Sequence, residues 1–259
     1  MTRVIAVTNQ KGGVGKTTTS VNLAAGFARA GKRVLLVDLD PQGNATMGSG
    51  IDKRTLNASV YQVLLGLCTA EAARQRSDAG GYEVIPSNRD LAGAEVELVE
   101  LEHRETRLKS ALVPIIADYD FILLDCPPSL NMLTVNGLAV ADAVMIPMQC
   151  EYYALEGLSD LVNTIKKVRQ HLNPRLEIEG LLRTMYDPRN TLALQVSAQL
   201  QSHFGNKVYA TVIPRNVRLA EAPSYGAPAV NFDHGCKGSQ AYIALVDEIL
   251  ARNSMPAAA

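Results

Sequence analysis

Short, wholly apolar runs alternate along the chain with longer segments of helical periodicity. The first run, residues 4–8 (VIAVT), stops at a glycine-rich turn, and residues 17–30 then carry apolar side chains at helical spacing before Gly31. Residues 33–38 (RVLLVD) form the next apolar run. Runs of this length are typical of parallel strands that are buried on both faces. The segment therefore predicts a strand–helix–strand unit with a right-handed crossover.

The same alternation continues towards the C-terminus. Further strands are predicted at residues 82–87, 121–125, 143–148, 178–184 and 208–213, and further helices at residues 91–112, 156–171 and 239–252. Strands alternating with helices predict an α/β fold in which helices cover both faces of a mostly parallel, twisted sheet. No internal repeat or linker divides the chain, so we expect a single domain over residues 1–253 and a flexible tail over residues 254–259.

Composition limits the classes of protein that this chain fits. Of its 259 residues, 47% are hydrophobic and 20% are charged, and the net charge is −1, as in ordinary soluble globular proteins. Binding to nucleic acid would therefore depend on a local basic patch. The four cysteines form no CxxC pair, which favours reduced thiols over zinc or disulfides. With no secretory signal and no apolar stretch long enough to span a membrane, we expect a cytoplasmic protein.

A phosphate-binding loop is predicted between the first strand and the first helix, at residues 11–18 (KGGVGKTT). The strict P-loop pattern fails, because Gln10 occupies the position of its first glycine. The glycines still let backbone N–H groups turn towards phosphate oxygens, at the positive end of the following helix. Lys16 would supply charge to the β- and γ-phosphates, and the Thr17 hydroxyl suits Mg²⁺. A glycine-rich connector without function is the weaker alternative, and we predict a single-domain P-loop NTPase that binds ATP and Mg²⁺.

Carboxylates follow two of the predicted strands. Asp38 and Asp40 end the second strand, at the edge where open α/β sheets bind ligands. Asp40 precedes Pro-Gln-Gly, a composition suited to a mobile switch loop, and could orient the attacking water or assist at Mg²⁺ through water. Asp125 ends the apolar run FILLD, and we expect it to hold a water ligand of Mg²⁺, with Asp38 as a supporting residue near the metal. This set predicts phosphoryl transfer from ATP to water.

Four motifs in the chain resemble those of one ATPase family. KGGVGKTTT resembles the deviant Walker A motif of the ParA/MinD group, and three further segments resemble its Soj-like ParA branch: DLDPQGNAT at 38–46, LLDCPPSL at 123–130 and IPRNVRLAEAPSYG at 213–226. The resemblance covers nearly the whole chain. It implies a slow ATPase of chromosome or plasmid partitioning, whose ATP-bound sandwich dimer binds DNA non-specifically. A ParB-type centromere-binding partner would stimulate hydrolysis and release the nucleoid-associated dimer.

The resemblance also assigns roles to particular residues. Lys11 is similar to the signature lysine that reaches the nucleotide of the partner subunit, in the manner of an arginine finger. Asp40 takes the water-positioning role, so the expected catalytic residues are Lys11, Lys16 and Asp40. Glu151 resembles the residue that meets the ribose across the dimer. The expected nucleotide contacts are Lys11, Gly12, Gly13, Val14, Gly15, Lys16, Thr17, Thr18, Glu151, Pro214, Arg215 and Asn216, and the expected metal residues are Thr17, Asp40 and Asp125.

Two arginines are candidates for contact with DNA. From the sequence alone, Arg189 and Arg218 are ordinary solvated side chains, whereas the resemblance matches them to positions that bind DNA in Soj-like proteins. Such binding should be independent of base sequence and weakened steeply by salt. No motif for reading base edges is present, so we do not expect recognition of a specific operator.

Three other functions fit the sequence less well. A MinD-like ATPase would end in a basic amphipathic helix, but residues 244–259 (ALVDEILARNSMPAAA) are partly acidic, so no membrane partner is expected. A nitrogenase-like iron protein would need paired cysteines at a dimer axis, and only Cys126 lies near such a region. A scaffold that does not hydrolyse nucleotide is disfavoured by the intact Lys16, Thr17, Asp40 and Asp125.

Overall fold

A single eight-stranded sheet organises the computed structural model, which describes residues 2–152 and 154–254. Its strands are β1 (Arg3–Val7), β2 (Val34–Asp38), β3 (Gln75–Ser77), β4 (Tyr82–Ile85), β5 (Phe121–Asp125), β6 (Ala143–Met148), β7 (Glu177–Tyr186) and β8 (Val208–Pro214). They lie in the order β3-β4-β2-β5-β1-β6-β7-β8. Every neighbouring pair is parallel except β3 and β4. The mostly parallel α/β fold is therefore confirmed.

Helices cover both faces of the sheet. They are α1 (Lys16–Arg29), α2 (Asn44–Gly48), α3 (Val60–Leu65), α4 (Ala70–Ala73), α5 (Leu91–Glu97), α6 (Arg107–Leu112), α7 (Met132–Val140), α8 (Ala154–His171), α9 (Thr191–Phe204), α10 (Val217–Glu221), α11 (Ala229–Phe232) and α12 (Lys237–Ser254). Alternate residues of β1 belong to two separate apolar clusters, Val4 and Ala6 to one, Ile5 and Val7 to the other. Both faces are buried, which is why the strands read as continuous apolar runs.

The single helix predicted at residues 91–112 is wrong. α5 ends at Glu97 and α6 begins at Arg107. Two 3₁₀ turns, Leu98–Glu100 and Arg104–Thr106, lie between them, and His103 before the second turn takes a positive φ of 54°. The buried side chain of Asn136 donates to the carbonyl of Arg104 at 2.7 Å and accepts from the N–H of Leu108 at 3.0 Å. These bonds from α7 satisfy one backbone group within the break and one in the first turn of α6, and no local sequence signal shows them.

The C-terminal ends of three strands converge on one edge. In the sheet register, Val7 of β1 and Asp38 of β2 both lie beside Asp125 of β5. The loop that connects β1 to α1 begins at the same edge. Of the predicted tail, 254–259, only Ser254 belongs to the described chain, where it is the last residue of α12. Within the described residues, no helix is both long and apolar enough to cross a bilayer.

Candidate functional site

The loop between β1 and α1 is shaped as a cradle for an anion. Gly13 and Gly15 have φ values of 72° and 87°, a region that glycine reaches without strain. A Cβ atom added to Gly12 or Gly13 would meet nothing within 4 Å, so this side of the loop is open. The Lys16 ammonium donates to the carbonyl of Lys11 at 3.1 Å across the loop, and the Thr184 hydroxyl donates to the carbonyl of Val14 at 2.7 Å from β7. The open cradle at the start of a 14-residue helix fits a phosphate chain.

Lys16 is buried although it carries a charge. Its side chain begins α1 and the residue is only 7% exposed. Burial lowers the pKa of Lys16, and the nearby carboxylates of Asp125 and Asp40 act in the opposite direction. A bound phosphate would stabilise this ammonium, because its negative charge would compensate the free-energy cost of burying the lysine.

Asp125 accepts two hydrogen bonds from α1. The hydroxyl of Thr17 donates to its Oδ2 and the hydroxyl of Ser20 donates to its Oδ1, both at 2.8 Å. Burial raises the pKa of Asp125 to about 8, and the charge of Asp38 adds to the increase. Thr17 and Asp125 thus lie together as the sequence predicted, whereas Ser20, one helical turn further on, was missed.

The raised pKa of Asp125 predicts that the ligand-free protein loses stability as the pH rises. The folded chain holds this proton at pH values where the unfolded carboxyl, with its ordinary pKa of 3.8, has lost it. The free energy of unfolding should therefore fall with rising pH until about pH 8. Burial also raises the pKa of Asp38, which acts with the same sign.

Urea denaturation of nucleotide-free protein in EDTA at several pH values between about 6.5 and 8.5 tests this expectation. Asp125→Asn keeps the shape of the side chain and removes the titrating group, so its free energy of unfolding should change less over this window. Equal slopes for the wild type and Asp125→Asn would contradict the assignment.

Asp38, the expected supporting residue near the metal, bonds the chain that follows β2. Its Oδ1 accepts from the N–H of Asp40 at 3.1 Å, and its Oδ2 accepts from both the N–H and the hydroxyl of Thr46, at 2.9 and 2.7 Å. The residue is fully buried. Both carboxylate oxygens are therefore engaged in holding the chain that follows β2.

Asp40 lies on the wall of the cleft above the phosphate loop. Its Oδ1 accepts from the N–H of Gln42 at 2.9 Å, which closes a tight turn. The cleft brings together the loop, the start of α1 and residues from three other segments; it is lined by Gly12, Gly13, Gly15, Lys16, Thr17, Thr18, Asp40, Asn44, Pro128 and Met185. Asn44, Pro128 and Met185 were not predicted.

A second pocket continues from this cleft towards the residues predicted to meet the base. It is lined by Gly15, Thr18, Thr184, Met185, Ile213, Pro214, Arg215, Asn216, Leu219, Ala220 and Tyr242. Gly15, Thr18 and Met185 line both spaces, so one groove runs from the phosphate loop to the predicted base loop. Val14 is buried below the loop and does not line either part. The apolar walls and few polar groups of the second pocket suit a planar heterocycle.

Lys11 and Glu151 form an ion pair within the chain. The Lys11 ammonium lies 2.5 Å from Oε2 of Glu151, and about half of each side chain is exposed. The N–H of Lys11 donates to Oδ1 of Asn9 at 3.0 Å, which fixes the start of the loop. Neither Lys11 nor Glu151 lines the cleft or the base pocket. Both predicted residues are thus at the rim, facing outward and paired with each other.

Both candidate DNA-binding arginines are exposed and paired with acidic neighbours. The side chain of Arg189 is 89% exposed and lies 2.8 Å from Asp187. Arg218 lies 2.8 Å from Glu221 and 3.2 Å from Asp233. The N–H of Arg218 also donates to Oδ1 of Asn216 at 2.9 Å. A DNA phosphate would have to replace or share these carboxylates.

The positions of the cysteines bear on the iron-protein alternative. Cys126 is 1% exposed, and burial strongly raises the pKa of its thiol. Its sulfur therefore does not reach a surface that a second copy could share. Among the described residues, no three His, Cys, Asp or Glu side chains are grouped so that they could hold a metal ion.

Comparison with known proteins finds relatives over almost the whole chain. A family model described as an AAA domain matches residues 2–178. The chain is 52% identical to the chromosome partitioning protein ParA of Caulobacter vibrioides over 252 residues, 96% of this chain and 94% of that protein. It is 53% identical to the sporulation initiation inhibitor protein Soj of Bacillus subtilis over 251 residues, 97% of this chain and 99% of that protein.

A solved structure of high similarity carries a different name. It is described as cobyrinic acid a,c-diamide synthase from Mycobacterium smegmatis with bound ATP analog and magnesium. Its TM-score is 0.88 at 42% sequence identity, and the match covers 98% of this chain and 96% of that chain. The activity and the ligands in this description are those of that protein.

Proposed function

The chain belongs to the ParA/Soj family of ATPases, and we propose that it is a partition ATPase whose ATP-bound form is a homodimer on DNA. The observation that carries this proposal is the groove that runs from the phosphate loop to the base loop, with Lys16, Thr17, Asp40 and Asp125 at its phosphate end. A nucleoside triphosphate fits this arrangement of one buried cation, an open glycine loop and an apolar pocket.

ATP hydrolysis in this groove follows from the chemistry of its side chains. The oxygen of a water molecule forms a bond to the γ-phosphorus while the bond from that phosphorus to the bridging oxygen breaks, which leaves ADP and inorganic phosphate and releases a proton of the water to solvent. Asp40 orients the water, and Lys16 balances the charge that develops on the phosphate oxygens. Thr17 and Asp125 are the residues that would hold Mg²⁺, which neutralises phosphate charge when it is bound. Pro214, Arg215 and Asn216 address the base.

A second copy of the chain completes the site. The Lys11–Glu151 pair lies outside the groove of its own subunit, so neither charge contributes to a site within one chain. In a face-to-face dimer, Lys11 reaches the phosphates of the opposite nucleotide and Glu151 its ribose. ATP then joins the two copies, and hydrolysis releases them. Family membership supports a ParB-type stimulating partner and a place on the nucleoid in the cytoplasm.

Binding of the ATP dimer to arbitrary duplex DNA should depend on Arg189 and Arg218. Replacing either arginine by alanine removes one phosphate contact per subunit, so we expect affinity to fall at least about tenfold and the salt dependence to become shallower. Electrophoretic retardation of a random duplex with ATP, at several salt concentrations, measures both effects. Phosphate release with and without this DNA tests the ATPase itself.

A matched control separates this role from general loss of charge. Arg54 is 79% exposed and pairs with Asp52 two residues earlier, just as Arg189 pairs with Asp187. Arg54→Ala should bind DNA as the wild type does. Retention of full affinity by both Arg189→Ala and Arg218→Ala would overturn the proposed DNA surface.

A further inference from the structure

The backbone of Asp40 is held from both sides by side chains of other elements. Its N–H donates to Oδ1 of Asp38 at 3.1 Å, at the end of β2. Its carbonyl accepts from the hydroxyl of Ser87 at 2.8 Å, just beyond the end of β4. Directional bonds on both peptide units that flank the Cα atom of Asp40 fix where its side chain begins. The position of this carboxylate is thus determined by residues far away in sequence.

The residues that hold Asp40 are themselves joined in one buried network. Thr46 donates both its N–H and its hydroxyl to Asp38, and the same hydroxyl accepts from the N–H of Ser87 at 2.8 Å. Asp38, Thr46 and Ser87 are all 0% exposed. Hydrogen bonds therefore run without interruption from β2 through α2 to the end of β4 and back to Asp40. A buried polar network that is fully satisfied in this way is rigid.

Close packing at Gly43 independently indicates that the chain around Asp40 is held in place. Gly43 has a φ of 59°, and a Cβ atom added there would lie 2.6 Å from the carbonyl oxygen of Ser87. Its N–H donates to the carbonyl of Asp40 at 2.9 Å. The switch loop is thus pressed against Ser87 so closely that only glycine fits at its turn.

We propose that Ser87 and Thr46, together with Asp38, are positioning residues that hold Asp40 where it can orient the attacking water. This inference rests on the proposed function, because it takes Asp40 as the residue that orients water. None of the three lines the phosphate cleft or the base pocket, so they act on the hydrolytic step and leave nucleotide binding unchanged. Small displacements of a group that orients a reactant are costly to the rate of reaction.

Single-turnover hydrolysis separates positioning from binding. Ser87→Ala removes the side-chain donor to the carbonyl of Asp40 and leaves only the N–H of Gly43 within the loop, and we expect the rate of phosphate release to fall about tenfold. The dissociation constant for ATP, measured with a fluorescent ATP analogue, should change less than about twofold. At Thr46 the expected contrast is between two variants: Thr46→Val, which keeps the shape but loses the hydroxyl, is slow, whereas Thr46→Ser, which keeps the hydroxyl, is close to the wild type.

A buried serine outside the network provides the matched control. The hydroxyl of Ser49, at the end of α2, donates to the carbonyl of Ala45 at 2.7 Å and bonds the Tyr82 hydroxyl at 2.7 Å, with no contact to Asp40. Ser49→Ala should lower the denaturation temperature by as much as Ser87→Ala does but leave the rate of hydrolysis unchanged. An equal loss of rate in both variants would show that Ser87 acts only through stability.

The Asp40→Ala background distinguishes failure of this inference from failure of the proposed function. If Ser87 acts through Asp40, adding Ser87→Ala to Asp40→Ala slows hydrolysis no further. A full additional tenfold loss would overturn the inference, as would a normal rate in Ser87→Ala and Thr46→Val while Asp40→Ala is slow. A normal rate in Asp40→Ala itself would instead overturn the role of Asp40 in the proposed function.

Discussion

Replacing Lys11 by alanine is expected to reduce ATP turnover by about 10³-fold, the scale of a charge that is supplied in trans to a transferring phosphoryl group. ATP binding to the monomer should change little, because the Lys11 side chain does not line the groove of its own subunit. Its ammonium is instead held by Glu151 at the rim. Light scattering with ATP should show a monomer for Lys11→Ala and a dimer for the wild type.

Lys32→Ala is the control for loss of a lysine charge. Lys32 is exposed between α1 and β2, at the opposite end of α1 from the phosphate loop, and no role is assigned to it. This variant should dimerise and turn over ATP as the wild type does. A normal ATP-dependent dimer in Lys11→Ala would contradict the trans-acting lysine.

Most of the sheet could be predicted because burial on both faces leaves a simple trace in the sequence. The strand FILLD agrees with its prediction to the residue, as β5. The strand that was missed, β3 (QRS), is an antiparallel edge strand of three residues with no apolar run. The wrong helix at residues 91–112 has a tertiary cause, the hydrogen bonds from Asn136. Tertiary contacts of this kind override the local helix propensity and leave no signal in the neighbouring sequence.

Part of the candidate site could likewise be predicted from the sequence, and part could not. The phosphate loop could be predicted from its motif, and Asp125 from its place at the end of an apolar strand. The structure brings Thr17 and Asp125 into direct contact. Thr184, Met185 and Ser87 come from β7 and from the end of β4, and only the topology of the sheet brings them to the groove or the switch loop. Their residue types carry no motif.

Which charged side chains pair with each other could also not be predicted from the sequence. Arg218 lies near Asp233, which is fifteen positions away, and Lys11 pairs with Glu151, which is 140 positions away. The family resemblance implied that Lys11 and Glu151 each face a second copy, and it did not imply that they pair with each other. Because they contact each other in one subunit, the pair has to open before either side chain can meet that copy. The Lys11→Ala experiment tests this exchange of partners by removing the lysine of the pair.

Asp40→Ala is expected to lower the rate of hydrolysis by about 10²–10³-fold and to leave ATP binding intact. The Asp40 carboxylate lies on the wall of the phosphate cleft, but the cation and the glycine loop that hold phosphate are separate from it. ATP should therefore still join two copies, and the dimer should persist because hydrolysis no longer releases it. Phosphate release, light scattering and retention of duplex DNA after removal of free ATP measure these three consequences.

Asp78→Ala is the matched control, since its side chain is 97% exposed and it too removes one carboxylate. It should hydrolyse ATP and leave DNA at the wild-type rate. The expected defects of Lys11→Ala and Asp40→Ala are opposite: Lys11→Ala fails to form the dimer, whereas Asp40→Ala forms a dimer that does not dissociate. If Asp40→Ala released DNA as fast as the wild type while hydrolysing no ATP, dissociation would not depend on hydrolysis, and the proposed cycle would be wrong at that step.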